Sequence, residues 1–300
     1  MNSNAAAELP LFSLVVPTCG RTAEIDRLMR SLVAQKADSI GRDTLDVLVM
    51  DQNQDERVAS VVARYEGDVA VRRIRCRYKN CSRAKNEGVG LAVGRWILFP
   101  DDDCWFDAGF FCRLRDKLQK LPDSTALFVR AYDPRLRVDL ISYPRREVLI
   151  SNNNRERAFL GLQIGQVYPA AVVRNIPFDE EIGPGEARWP GGEETDLALR
   201  VLAANHSIVF TPELMVFHDM VDGQVMSINK VRRYAVGFGA VCRKNKLNGH
   251  CLLKVVKQVC GAAVFLLVGR WWRAWVAANT AWFRMRGFFD YARDVPRDRR

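Results

Sequence analysis

The chain has 300 residues, a net charge of +10, 48% hydrophobic and 27% charged residues. That length supports one large domain or two small ones, and that composition excludes disordered, collagen-like and repeat architectures. The charge is uneven: residues 230–300 carry 16 Lys/Arg against 3 Asp, so this segment is +13 and the preceding 229 residues are −3. A near-neutral body with a basic tail that meets something anionic is the expectation.

In chain order, "LFSLVV" (11–16) is a short apolar run stopped by Pro17 and reads as a buried strand. Ile25, Leu28, Met29, Leu32 and Val33 then recur at helical spacing behind Thr22, a plausible N-cap. "LDVLVM" (45–50) predicts a second buried strand ending at Asp51, and Val58, Val61, Val62 and Tyr65 a second helix. "VAVRRIRC" (69–76) alternates weakly, as a strand near a sheet edge does. Residues 82–93 predict a helix, "RWILF" a strand, Phe110 to Leu121 a helix and "ALFVRAY" (126–132) another strand. Alternating strands and helices with continuous apolar strands imply an α/β domain with a mainly parallel sheet. In such sheets ligands bind outside the carboxyl ends of the strands. Pro17-Thr18, Asp51 and Asp101–Asp103 all fall there.

The pattern then weakens. "SNNNRERAF" reads as a loop, "IGQVYPAAVVR" as one or two strands, and "FDEEIGPGEARWPGG" as an ordered functional loop. Glu194 to Ala204 restores a helix, "SIVF" and "LMVF" are two short strands, and the chain from about 228 is helical. Eight cysteines without a CxxC pair or zinc spacing read as reduced thiols. The N-terminus has no secretory signal pattern, so a cytoplasmic protein is expected.

Three adjacent carboxylates, Asp101, Asp102 and Asp103, need an explanation. Helix capping would use one of them. A hard divalent cation, Mn²⁺ or Mg²⁺, relieves the repulsion of all three and commonly shares carboxylates with substrate phosphates. Asp51 is either a turn residue or an acceptor for a base or ribose. Arg83, Lys85 and Asn86 lie near a helix start, where phosphates bind, or on a solvated helix face. Glu193 and Glu194 follow Gly191 and Gly192 at another helix start; first-turn acids on a helix dipole and a general base are the two readings. Asp196 and Arg200 have ion-pair spacing. His218 ends a strand and is read as a third metal ligand. Trp189 either stacks on a sugar or packs its loop.

Taken together, "SLVVPTCGR", "VLVMDQNQDE", "NCSRAKNEGVGLAVGRWILFPDDD", "FDEEIGPGEARWPGGEETDLALRVL" and "VFH" resemble, in order, the motifs of a family 2 glycosyltransferase across residues 11–220. The resemblance implies a GT-A, Rossmann-like α/β fold with a mixed, mainly parallel sheet flanked by helices. Residues 1–227 would form the catalytic domain and 228–300 a helical extension. It implies an inverting transfer of a sugar from a nucleotide sugar, UDP-linked by preference, to a hydroxyl of a glycan or lipid-linked acceptor in polysaccharide synthesis. Pro17, Thr18, Arg21, Asp51, Arg83, Asn86, Asp101 and Asp102 match donor-binding positions. Asp101, Asp103 and His218 match metal positions of the DxD type. Glu194, with Glu193 as the alternative, matches the base, and Trp189, Gly191 and Gly192 the acceptor loop. Two departures stand out: Glu-Glu where the family has Glu-Asp, and "DQNQ" where many members have "DDGS". The competing enzyme class is a nucleotidyltransferase, for which "PTCGRTAE" makes a poor phosphate loop. The competing non-enzymatic class is a nucleic-acid or membrane-binding module, which leaves the acidic residues without a purpose.

Residues 251–289 are apolar, aromatic and basic, with Trp271, Trp272, Trp275 and Trp282 interleaved with Arg270, Arg273, Arg284 and Arg286. The longest uncharged run, Gln258–Gly269, has 12 residues, short of the roughly 20 a spanning helix needs. A helical pair packed on protein, or peripheral attachment to the anionic inner face of the cell membrane, is expected; nucleic acid is not an expected partner.

Overall fold

The computed structural model describes residues 10–35, 44–220 and 227–295. They form two compact units: one takes the stretches up to 79, 83–177 and 201–220, the other residues 80–82, 178–200 and the C-terminal helices.

The first unit is built on one sheet. Its strands are β1 (Phe12–Thr18), β2 (Leu45–Asp51), β3 (Ala70–Arg75), β4 (Trp96–Leu98), β5 (Cys104–Trp105), β6 (Ala126–Asp133), β7 (Val138–Asp139), β8 (Val148–Ile150), β9 (Gln166–Pro169) and β10 (Ile208–His218). The helices between them are α1 (Ala23–Val33), α2 (Ala59–Ala63), α3 (Cys81–Leu91), α4 (Phe110–Leu118) and α5 (Ala170–Asn175). The strand order is β3-β2-β1-β4-β9-β6-β10-β5, with β7 on β6 and β8 on β10. Pairs β1–β2, β1–β4, β2–β3 and β6–β10 are parallel, and β9 runs antiparallel between β4 and β6. This is the mixed GT-A sheet. β1 and β2 are buried on both faces, which is why they read as unbroken apolar runs. β3, with four half-buried positions and Arg72 and Arg75 exposed, is the edge strand its weak alternation predicts.

Pro17 lies inside β1 rather than ending it. It pairs in register with Met50, beyond the point where the β4 ladder stops at Leu14, so a missing N–H is tolerated. Two further expectations are corrected. "AAVVR" is helix α5, which starts directly after Pro169, the last residue of β9 and the extended N-cap of the helix (ψ 132°). "SIVF" and "LMVF" are one strand, β10, whose register on β6 shifts between Thr211 and Met215. Under the sheet, Phe12, Phe106, Phe110 and Phe111 interlock with ring centroids 4.8–5.3 Å apart. Each such pair adds about 1 kcal/mol beyond its area burial. Together they seat α4 just behind the strand end that carries the aspartates.

The second unit contains the start of α6 (Glu193–Ala203) and three long helices, α7 (Ile228–Lys244), α8 (Asn248–Leu267) and α9 (Trp271–Asp294). Ser227 caps α7, its side chain accepting from the Lys230 N–H. α9 approaches α7 at backbone distance: a Cβ at Gly239 would lie 2.0 Å from the Arg284 carbonyl oxygen, and one at Gly287 2.1 Å from that of Val236. By length and composition α8 is apolar enough to cross a membrane, with 20 residues and a mean hydropathy of 1.6. The longest uncharged stretch remains the 12 residues Gln258–Gly269, and Lys254 and Lys257 lie within the same helix.

Candidate active site

In the first unit the acidic triplet sits between β4 and β5. β5 pairs antiparallel with the end of β10, His218 opposite Cys104. That register brings the imidazole to the carboxylate beside it: His218 Nε2 lies 3.3 Å from Asp103 Oδ1. The loop after β1 reaches the same place. Thr18 Oγ1 donates to Asp102 Oδ2 at 2.7 Å. Arg21 Nη1 lies 2.5 Å from both Asp102 Oδ1 and Asp103 Oδ2. From α1, Arg27 donates to the Asp103 carbonyl at 2.6 Å, pairs with Asp219 and stacks over Trp105 at 3.8 Å.

Crowding and burial set the electrostatics. Burial pushes the Asp101 carboxyl up to about 6, against the pull of Lys85 and with the help of Asp103 and Asp102. Asp102 is also raised, burial outweighing the Thr18 hydrogen bond and the Arg21 charge. At Asp103 burial acts in the same sense, but the His218 hydrogen bond and charge and Arg21 outweigh it, so its pKa is lowered. The hydrogen bond to Asp103 raises His218 against burial, and the Asp103 and Asp101 charges add to it. The three carboxylates are thus crowded together, with Arg21, Lys85 and His218 as the positive partners that act on them.

Among the described residues no group of three or more His, Cys, Asp or Glu is arranged to hold a metal ion. The donor chemistry nevertheless fits a hard divalent cation. Asp101 and Asp103 offer oxygens and His218 an imidazole. Arg21 already places a positive charge against two of the carboxylates. His218 Nδ1 is buried with no hydrogen-bond partner, so the side chain is under-satisfied as it stands.

Asp51 is fully buried at the end of β2. It accepts from the Asn53 backbone N–H (2.9 Å), Asn53 Nδ2 (2.7 Å) and Arg73 Nε (2.8 Å). Asn53 Oδ1 in turn accepts from the Gly20 N–H at 2.6 Å. The carboxylate therefore shapes the β1 and β2 loops. Alongside runs a groove of about 480 Å³ lined by Gln52, Asn53, Gln54, Arg75, Cys76, Arg77, Tyr78 and Lys79. Arg83 is exposed on α3 and stacks on Tyr78 at 4.2 Å, and Asn86 is half-buried on the same helix.

Lys85, read from the sequence as either a phosphate-binding cation or a solvated helix residue, and Arg27, which had no reading, join this site. Lys85 is 1% exposed, donates to Gln163 Oε1 at 2.6 Å and draws the Asp101 pKa down. A lysine four residues past the start of α3 looks solvated; only the chain order that delivers Gln163 reveals that it is buried. Arg27 lies on α1 between Asp26 and Leu28 and has no motif signal.

In the second unit, Gly192 adopts φ +94° and Gly183 φ +129°, conformations that favour glycine. A Cβ on Gly183 would meet the Glu193 side chain at 3.2 Å and Ser82 Oγ at 2.7 Å. Glu193 is thus packed under the loop, 4% exposed, while Glu194 is half-buried. Asp196 is fully buried and accepts from Arg200 Nε (2.8 Å), Lys244 Nζ (2.7 Å) and Asn245 Nδ2 (2.9 Å). Burial opposes its ionisation, but Lys244 and Arg200 outweigh this and hold the pKa below the ordinary value. Gly191 packs by its carbonyl against Gly237 of α7. Trp189 is 2% exposed, its ring 5.0 Å from that of Tyr291, so the indole is a packing element in this structure.

The comparisons with known proteins agree with this fold. Residues 1–349 of S. aureus TarS superpose with a TM-score of 0.59 at 15% identity, covering 95% of this chain and 92% of that one. The same protein in complex with UDP-GlcNAc gives a TM-score of 0.58 at 16% identity, covering 94% and 91%. The mannosyltransferase PcManGT from Pyrobaculum calidifontis, in complex with GDP-Man and Mn²⁺, gives 0.62 at 14% identity, covering 96% and 89%. At such identities the likeness is one of fold. A Haemophilus influenzae protein described as an uncharacterized glycosyltransferase is 31% identical over 96 residues, which are 32% of this chain and 30% of that relative's length. The family model for glycosyl transferase family 2 matches residues 13–175. That span runs from β1 through the aspartate triplet to α5, and the chain belongs to glycosyl transferase family 2.

Proposed function

We propose that the protein transfers a sugar from a nucleoside-diphosphate sugar to a hydroxyl of a glycan or lipid-linked acceptor, inverting the anomeric centre, in polysaccharide synthesis on the cytoplasmic side. The observation that carries this reading is the set Thr18, Arg21, Asp101–Asp103 and His218, drawn together at the strand ends of a family 2 fold. UDP is the preferred nucleotide in this reading, and the UDP-GlcNAc complex of a structural neighbour supports it.

Each residue has a stated task. The groove lined by Gln52, Asn53 and Arg75 takes the base and ribose, with Asp51 and Pro17 holding its walls. Arg21, Arg83 and Asn86 face the diphosphate. Asp101, Asp103 and His218 are the residues that would hold a divalent cation, and such a cation would neutralise the charge that develops on the leaving diphosphate. The Mn²⁺ found with GDP-Man in the mannosyltransferase supports that assignment. The acceptor hydroxyl gives its proton to the Glu194 carboxylate as its oxygen bonds to the anomeric carbon. The bond from that carbon to the phosphate oxygen breaks, and the nucleoside diphosphate leaves with the electron pair. Glu194 is chosen over Glu193 because Glu193 is packed beneath Gly183. Gly191 and Gly192 shape the acceptor loop ahead of it.

The test has two parts. A thermal shift with UDP, GDP and dTDP, each with Mn²⁺, is expected to show stabilisation, largest for UDP; no shift with any of them counts against the transferase. Glu194→Gln is expected to keep that shift and lose transfer by about 10²–10⁴-fold, while Glu193→Gln loses far less. Wild-type turnover in Glu194→Gln moves the base elsewhere.

A further inference from the structure

The three-helix unit leaves an unusual surface uncovered. α8 and α9 pack against each other as a hairpin joined through Gly269, whose φ is +69°. The base of the hairpin is fixed. Arg284 donates to the Lys254 carbonyl at 3.3 Å and stacks over Phe238 of α7 at 4.4 Å, and Gly239 and Gly287 lock α9 to α7. From Arg284 back to Trp271 is a further 13 residues, roughly 20 Å of helix. At that far end Leu266, Leu267, Val268, Trp271, Trp272 and Trp275 are all exposed, Leu267 at 87% and Trp271 at 69%. Along α9 the exposed Trp271, Trp275, Trp282 and Phe289 are spaced by four, seven and seven residues, one stripe of a 3.6-residue helix. Of the exposed apolar residues of α8, Leu252, Val256, Val259 and Leu267 fall on one stripe, and Leu253 and Val264 widen it to one side.

Charge decides what covers this surface. From Ser227 to Phe289 the chain has 12 Lys/Arg and no Asp or Glu. A second copy of the chain would bring the same positive field against itself in a two-fold contact, which is repulsive. A bilayer with anionic headgroups supplies the opposite sign and an apolar layer just beneath it. Tryptophan beside arginine is the composition that rests at that boundary, rings at the acyl edge and guanidinium groups on phosphates.

We propose that the α8–α9 hairpin is a membrane anchor: its aromatic end, Leu266 to Trp275, seats in the headgroup–acyl boundary of an anionic bilayer, and Arg270 and Arg273 bind lipid phosphates. α8 has the length and hydropathy to cross a bilayer, but it does not cross. Arg273 and Arg286 on its paired helix would be drawn into hydrocarbon with it, and insertion would strip α9 from its backbone contacts on α7. The anchor is an interfacial one, and it stands independently of the sugar or nucleotide the protein uses.

The test is co-sedimentation of the full-length protein with vesicles of phosphatidylcholine alone and of phosphatidylcholine with phosphatidylglycerol, with tryptophan emission read in parallel. Binding is expected to the anionic vesicles, weakened by salt, with a blue shift that brominated lipid quenches. Arg270→Gln with Arg273→Gln is expected to weaken binding roughly thirty-fold. Leu267→Ser with Trp271→Ser is expected to abolish the quenching while a salt-sensitive residue of binding remains. All four sites are exposed, and unchanged melting temperatures confirm that the variants fold. Failure to bind either vesicle, or binding that neither double variant weakens, overturns the proposal. So does retention in the membrane after alkaline extraction, which marks a spanning helix, or lipid-free dimerisation lost in Leu267→Ser with Trp271→Ser, which marks a protein interface. Loss of transfer activity in any variant does not bear on it, since the readout is vesicle binding.

Discussion

Asp102, the middle carboxylate, is the member of the triplet whose partners come from the end of β1 and the loop after it: Thr18 at 2.7 Å and Arg21 at 2.5 Å. Replacing it separates shape from charge. In Asp102→Ala the Thr18 hydroxyl, on a residue 1% exposed, loses its acceptor, which costs about 1–3 kcal/mol. Arg21 is 41% exposed and keeps Asp103 at 2.5 Å, so its loss is discounted to under about 1 kcal/mol. The sum is about 1–4 kcal/mol, or roughly 2–8 °C in Tm for a chain of this size. In Asp102→Asn the amide oxygen still accepts from Thr18, only the half-exposed ion pair goes, and the change stays under about 1 kcal/mol. The assay is thermal unfolding of both variants by circular dichroism, followed by the Mn²⁺-dependent shift with UDP. Asp102→Asn is expected to melt near wild type and to hold nucleotide almost as well. If it is as destabilised as Asp102→Ala, Asp102 acts through its charge, and the reading of it as the clasp on the β1 loop is wrong.

Two more predictions concern the helical unit. Asp196→Asn is expected to lower stability by about 1.5–3 kcal/mol at pH 7, because Arg200 loses its buried carboxylate while Lys244 keeps Asp179 at 2.6 Å. Since the folded pKa of Asp196 is depressed below the ordinary 3.8, its contribution is complete above that value and fades as pH falls through the folded pKa. The gap between wild type and variant in urea melts is therefore expected to narrow only below about pH 3.8; a gap that closes near pH 6 contradicts the assignment. Gly239→Ala would place a Cβ 2.0 Å from the Arg284 carbonyl oxygen, so α9 must shift. A loss of about 1–3 kcal/mol is expected, with new hydrogen exchange in α9, and a neutral or stabilising result would mean that the two helices are not in backbone contact.

The sheet was legible because burial writes directly into composition. β1 and β2 are buried at nearly every position, so each could only be a run of apolar residues. The two strands of β10 looked separate because the break at Pro212-Glu213 is a local feature, whereas the ladder to β6 that makes them one strand is set by pairing with residues 126–132. The site divides in the same way. The aspartate triplet announced itself because three adjacent like charges have few cheap explanations, and His218 because it ends a strand and precedes Asp219. What holds the triplet in shape was not legible. Arg27, Lys85 and Gln163 are ordinary in local context, and each matters only because the fold brings it to an aspartate or to a neighbour of one. Trp189 shows the converse: an aromatic beside two glycines and two glutamates invited a binding role, while Tyr291, more than a hundred residues on, covers its ring. Sequence thus identifies groups whose presence is costly in itself, such as like charges and strand-end carboxylates. It is silent on groups whose cost is removed by a distant partner. The α8–α9 surface belongs to the first kind. Its tryptophans and arginines are prominent in the chain and remain uncovered when it folds, so the composition that first raised the question of a membrane is still unanswered by the protein's own packing.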